Sequence, residues 1–236
     1  MSTITSNNSN EPLKHTLYDK SYTCPVCEIQ FKTKAIRVGK NQLLTIDDDL
    51  YAHYTIVNPL LYDIIACPNC QYTALSKKFD KLLPKQKEWI KNELHLIQQS
   101  APSYREYTTT AEAIHKHKIA LLLAMQRKAK LGEQSYIALH IAWLYRDLSD
   151  TKNELIFLEK AFNGFNEALQ TENTPIMGLD EHTLMYMLAA IAYKLGKKEI
   201  CKQYLSLVIT TTGVSPRIKE RALDLKEKLI HDNVIK

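Results

Sequence analysis

Cys24-Pro25-Val26-Cys27 and Cys67-Pro68-Asn69-Cys70 decide how this chain is read. Each is a C-x₂-C unit with proline after the first cysteine. Two cysteines separated by two residues sit on one tight turn with both sulfurs aimed at one point. Two such turns from distant parts of a chain supply the four thiolates of a closed, tetrahedral Zn²⁺ site. The expected ligands are therefore Cys24, Cys27, Cys67 and Cys70, around one structural zinc. The rival readings are weaker. A disulfide framework belongs to an oxidising compartment, and Met1 to Asn10 is polar, without an apolar secretory run. A thioredoxin-like redox pair is a single C-x₂-C opening a helix in a βαβ unit, whereas here there are two pairs and no long β-rich frame.

Two features depart from the common zinc ribbon. The linker, 28–66, is about twice the ~15–20 residues usual between C-x₂-C pairs. Glycine, convenient after the second cysteine where φ turns positive, is replaced by Glu28 and Gln71. Either the turns accept non-glycine residues or the knuckles are irregular.

The 236 residues make one large domain or two small ones, and 45% hydrophobic content is ample for a buried core. No run approaches the ~18 apolar residues of a membrane helix. Reduced cysteines without a secretory segment make the cytoplasm the expected location and a membrane partner unexpected. The net charge of +5 invites a nucleic-acid reading, but the excess is spread over both halves of the chain, and four thiolates around a dication leave a net negative site in the first half. The lysine groups Lys32, Lys34, Arg37 and Lys40, and Lys77, Lys78, Lys81, Lys85 and Lys87, read as solvated faces.

Residues 1–16, rich in Ser, Thr and Asn, read as a disordered tail. Tyr18 to Thr23, Ile29 to Val38 and Gln42 to Ile46 read as strands, Asn58-Pro59 as a turn, and Leu60 to Ala66 as a buried strand entering the second knuckle. Asp47-Asp48-Asp49 lacks the alternating oxygens and mid-loop glycine of a calcium loop and reads as an exposed acidic turn. His53, between the cysteine pairs, reads as a packed or surface histidine, because four cysteines already fill the tetrahedron.

From Pro84 the apolar period shifts towards 3.6. Helices are expected from Pro84 to about Ser100-Ala101-Pro102, from a Thr110 cap to a Gly132 stop, from Glu133 to Leu148, and from Asp150-Thr151 through Leu155, Leu158, Phe162 and Phe165. Further helices are expected from an Asp180 cap to Gly196, over Ile200 to Val208, and from Ser215-Pro216 to about Ile230. The segments Ala138 to Ala168 and Leu184 to Ile209 share a weak two-helix pattern, resembling degenerate tetratricopeptide units. Stacked pairs of this kind leave a groove, which Tyr136, His140, Trp143, Tyr186 and Tyr193 are candidates to line. His115 and His117, two apart, do not share a helix face, and Cys201 reads as a small core residue. No Gly-rich phosphate loop, G-x-S-x-G elbow or H-E-x-x-H motif occurs, so no catalytic or cofactor-binding residues are assigned and no small-molecule substrate is evident.

With these residues laid out, the chain resembles an uncharacterised bacterial family, domain of unknown function 2225. The resemblance rests on both C-P-x-C units, Phe31, Asp47 to Asp49, Tyr54, Asn58-Pro59, Tyr62, Gln71-Tyr72 and Ala142-Trp143-Leu144-Tyr145-Arg146. Gln71 departs from it, where glycine is expected. It implies a zinc-binding front and a tetratricopeptide-like back, and it carries no activity.

The expected architecture is α+β, mostly α: a tail (1–16), a small zinc-ribbon-like β module (17–83), then antiparallel helix pairs (84–236). The expected role is a non-enzymatic adaptor taking a protein or peptide in a helical groove. A nucleic-acid-binding zinc module stands second and a zinc-dependent enzyme third.

Overall fold

The computed structural model describes residues 11–98 and 107–232. Among the described residues the architecture is α+β, mostly α: three small antiparallel hairpins precede seven helices. In the first hairpin, β1 (Leu17–Thr23) pairs with β2 (Gln30–Ile36), from Leu17↔Ile36 to Thr23↔Gln30. In the second, β3 (Leu43–Ile46) pairs with β4 (Ala52–Tyr54). In the third, β5 (Ile64–Ala66) pairs with β6 (Thr73–Leu75). Among the described residues the hairpins form three separate two-stranded sheets. A lone two-stranded hairpin is at best marginally stable in water, so each needs an external fastening.

Two parts of the front differ from the sequence reading. The expected tail, 1–16, falls outside the described residues up to position 10, but Glu11–Thr16 form a short helix, α1. Thr16 is buried, and its carbonyl accepts from the Arg37 N–H at 2.8 Å, tying α1 to the end of β2. The expected strand Leu60–Ala66 shrinks to β5. Pro59–Tyr62 is instead a 3₁₀ turn, because the Asn58 side chain caps the Leu60 N–H and Pro59 is pre-set for a helical first position.

The helices are α2 (Pro84–Gln98), α3 (Thr110–Gln126), α4 (Leu131–Asp147), α5 (Thr151–Thr171), α6 (Glu181–Lys194), α7 (Lys198–Thr210) and α8 (Pro216–His231). Asp150, Asp180 and Ser215 cap as expected, their side chains accepting from the N–H groups of Asn153, Thr183 and Ile218. Gly196, at φ 70°, closes α6. The expected end of α2 at Ser100–Pro102 lies outside the described residues. Thr109, not Thr110, caps α3, in a reciprocal capping box with Glu112. Gly132 does not stop α3: it lies in the first turn of α4, where an added Cβ would meet Ile176 Cγ2 at 2.3 Å. The glycine is there for close packing.

Each helix from α3 onward packs on the next, and α8 also reaches α6. Helix α4 is central, with Ile137, Leu139, Ile141 and Leu144 fully buried. On α5, Leu158, Phe162 and Phe165 point inward as expected, but Leu155 is exposed. One apolar cluster joins α3–α8 with Tyr51, Ile64 and Leu75; a second joins the cysteines with Phe79, Ile90, Leu94 and Leu123. Both draw residues from either side of position 84. Among the described residues, no helix is long and apolar enough to cross a membrane.

Candidate metal centre

The two C-P-x-C units are the connecting turns of hairpins. The first joins β1 to β2 and the second joins β5 to β6. Their backbones repeat one pattern. Cys24 N–H donates to Ile29 C=O and Glu28 N–H to Cys24 C=O; Cys67 N–H donates to Tyr72 C=O and Gln71 N–H to Cys67 C=O. Glu28 and Gln71 both sit at φ 64°. The turns therefore take the left-handed residue that glycine would supply, and they take it with a side chain present.

The turns bring Cys24, Cys27, Cys67 and Cys70 together, with all four sulfurs within 4.8 Å of one another. Two contacts cross from one knuckle to the other: Cys24 Sγ to Cys70 Sγ is 3.5 Å and Cys27 Sγ to Cys67 Sγ is 3.6 Å. A disulfide needs ~2.05 Å, and the cysteines are free. A tetrahedron with metal–sulfur arms of ~2.3 Å has edges of about 3.8 Å, close to what is found. Cys24, Cys67 and Cys70 are buried and Cys27 is half-buried.

The surroundings favour thiolates. Backbone N–H groups of Val26 and Cys27 point at the Cys24 sulfur, and those of Asn69 and Cys70 at the Cys67 sulfur. Ile29 N–H serves Cys27, joined by the Asn69 side chain, and Tyr72 N–H serves Cys70. The Cys70 thiol, hydrogen-bonded to Cys24, draws the Cys24 pKa down, and the same contact drives Cys70 up. Burial raises Cys67. A cation held by Cys24, Cys27, Cys67 and Cys70 would remove this competition by letting all four sulfurs ionise. The donor set and spacing fit a metal ion. Around it, Tyr22, Phe31 and Tyr72 pack on Phe79, with ring centroids 5.7, 5.9 and 5.0 Å away.

The acidic triplet is not an exposed turn. Asp49 is completely buried, and Arg146 of α4 grips it with two nitrogens, Nη1–Oδ1 at 3.0 Å and Nη2–Oδ2 at 2.5 Å. Arg146 also bonds Asp47 and Glu154, both at 2.7 Å, and the Trp143 indole N–H donates to Asp49 at 3.2 Å. Lys228 of α8 holds Asp48 at 2.7 Å. Burial alone would raise the Asp49 carboxyl; Arg146, Lys194 and Trp143 outweigh it and hold it below the usual range. Tyr51 stacks on Trp143 at 5.1 Å, and its hydroxyl donates to Asp147 at 2.7 Å. His53 meets Asp47 at 2.9 Å and is half-buried, so it stands apart from the cysteines as expected. The signal for this hub in the sequence was the W-L-Y-R run far downstream.

The five aromatic groove candidates do not form one groove. Tyr136, His140 and Trp143 line a cleft between the hairpins and α4, together with Asp63, Ser76 and Lys77. Tyr186 is buried in the core, and Tyr193 reaches Asp232 of α8. Cys201 is a core residue, as expected, and burial pushes its thiol up to about 11. His117 is fully buried beside His140, with ring centroids 5.8 Å apart.

Comparison with known proteins gives a family and no activity. The chain is 22% identical over 161 residues to an uncharacterized protein of Borreliella burgdorferi, covering 59% of this chain and 57% of that protein. The chain thus spans little more than half the length of this relative. No solved structure matches. Residues 17–229, both knuckles, the acidic triplet and helices α2 to α7 included, match the family described as "uncharacterized protein conserved in bacteria (DUF2225)", and the chain belongs to that family.

Proposed function

We propose that the metal is a single structural Zn²⁺ and that the protein is a non-enzymatic cytoplasmic adaptor. The observation that carries this reading is the closed set of four sulfurs at two hairpin tips. Zinc is the usual ion of an S₄ tetrahedron without redox chemistry, and with four protein ligands it has no open position for water or substrate. Such a site contributes to folding, and here it would fasten two hairpins that cannot stand alone. The partner half of the reading is supported by the succession of helices, each packed on the next from α3 onward. Large apolar side chains also remain on their outer faces: Met125, Ile156, Leu207 and Ile230 are all exposed.

Elemental analysis with zinc-edge X-ray absorption tests the site. One zinc per chain with four sulfurs at about 2.3 Å supports it. Three sulfurs and an oxygen would overturn the closed reading in favour of an enzyme. Capture from bacterial lysate that returns no stoichiometric protein, together with turnover by the purified chain, would overturn the adaptor reading.

A further inference from the structure

The cleft between the hairpins and α4 has a volume of about 560 Å³, within the roughly 300–1,000 Å³ of small-molecule sites. Its walls are aromatic. Alternate residues of β1, hence one face of the strand, contribute Tyr18, Lys20 and Tyr22. The stacked pair Tyr51 and Trp143, with rings 12° from parallel, also lines the cleft. Tyr136 and His140 stand one turn apart on α4, with ring centroids 4.1 Å apart.

Polar groups in this cleft are left incompletely paired. The His140 side chain is only 3% exposed, and its Nδ1 makes no hydrogen bond. Nδ1 faces Asp63 Oδ2 at 3.5 Å. Asp63 Oδ1 takes the Ser76 hydroxyl at 3.0 Å, so Oδ2 keeps its acceptor capacity. At the border are Lys20 and Lys77, both exposed. Neither forms an ion pair among the described residues, and Lys20 lies over the Tyr22 ring at 5.1 Å.

These groups select a ligand chemistry. A purely apolar occupant would desolvate His140 Nδ1 and Asp63 Oδ2 with nothing but their own long contact of 3.5 Å between them. A simple carboxylic acid meets Asp63 with like charge, and an amine meets the two lysines. A flat heteroaromatic ring with N–H donors and an anionic substituent satisfies every wall. The ring stacks on aromatic side chains, its N–H edge faces the Asp63 carboxylate, and the anion reaches the lysines. We infer that this cleft binds a nucleoside phosphate, free or as one unit of a single strand. The site is independent of the adaptor reading and of the metal's identity.

The test uses the full metal-loaded chain in calorimetric titrations. The probes are adenosine and guanosine 5′-monophosphate, the two nucleosides, and a short single-stranded RNA of mixed sequence. At least one monophosphate should bind saturably, one per chain, and its nucleoside about tenfold more weakly. The double variant Lys20→Ala/Lys77→Ala, altered only at exposed positions, should lose about tenfold in affinity and show a smaller salt dependence. Asp63→Asn should weaken binding with the melting temperature retained. Tighter binding of RNA than of the monophosphate, with mutual displacement, identifies a strand as the source; weaker binding of RNA identifies the free nucleotide. No saturable binding of any probe at about 1 mM would overturn the inference. Binding left unchanged by the lysine and Asp63 variants, or RNA binding that neither monophosphate displaces, would overturn it too.

Discussion

The hairpins are fastened in two places by two different chemistries. The β1–β2 and β5–β6 hairpins meet through four sulfurs; the β3–β4 hairpin is held by its Asp47–Asp49 turn on Arg146, Trp143 and Lys228 of the helices. The sulfur clasp joins hairpin to hairpin, while the carboxylate clasp joins hairpin to helix across 97 positions of sequence. The first offers four sulfurs that could hold a metal ion. The second uses charges already in the chain, and it stabilises only while every member is present, because a buried carboxylate without its partner is costly.

Removing a ligand should separate the two clasps most sharply. Structural zinc contributes on the order of 10–16 kcal/mol of apparent binding free energy. Cys70→Ser should therefore unfold the β1–β2 and β5–β6 hairpins while α4–α7 keep their helicity. Far-UV circular dichroism, together with proteolysis mapped along the chain, reads this; cleavage equal to that of the wild type would contradict it. Next in size, Arg146→Met leaves the buried Asp49 with only Trp143 at 3.2 Å and Lys194 at 3.5 Å, which costs up to roughly 3–5 kcal/mol. Denaturant unfolding of Arg146→Met, Asp49→Asn and the double variant should show a double loss well below the sum of the singles. Additive losses would mean that the two residues do not act as a unit.

Titration separates the clasps further. Burial, with each ring beside the other, pushes His117 down to about 3, and burial with nearby Lys77 does the same to His140. Unfolded histidine titrates near ~6.5. Between these values the unfolded chain binds protons that the fold refuses, so stability is complete above about 6.5 and falls as the pH drops towards 3. Asp49, held below its ordinary range, adds a loss as pH falls through ~4. Acid also releases metal from thiolates, so the informative quantity is a difference. His140→Gln should flatten the fall in denaturation midpoint between pH 6.5 and 5 relative to the wild type. Parallel curves would show that His140 contributes nothing to the acid sensitivity. The smallest expected effect is a gain. Gln71→Gly relieves a left-handed backbone and removes a buried, unpaired Oε1, so it should stabilise by about 0.5–1 kcal/mol. Loss of stability would mean that the Gln71 bond to the Pro68 carbonyl, at 3.1 Å, outweighs the strain.

The contrast also explains what was legible in the sequence. The cysteine clasp is written in spacing: C-x₂-C fixes two sulfurs locally, and only the meeting of two such turns is left to the fold. The caps at Asp150, Asp180 and Ser215 are likewise local, each bonding an N–H three residues on. Asp47–Asp49 looked solvated because an acidic triplet carries no sign of the arginine that will bury it. Gly132 looked like a helix stop, for its need comes from Ile176 across a packed interface. The 3₁₀ turn at Pro59 was hidden inside an apolar run. The aromatic residues of α4 were legible as candidates, but their cleft is made by β1 and Asp63, which no helical period reveals.

The central claim is that a metal gripped by Cys24, Cys27, Cys67 and Cys70 holds the first and third hairpins in place. Amide hydrogen exchange on metal-loaded and chelator-stripped protein tests it most directly. The account predicts that β1, β2, β5 and β6 lose protection on stripping while α4–α7 keep theirs, and that zinc restores it. Full protection of those strands in metal-free protein would contradict the claim.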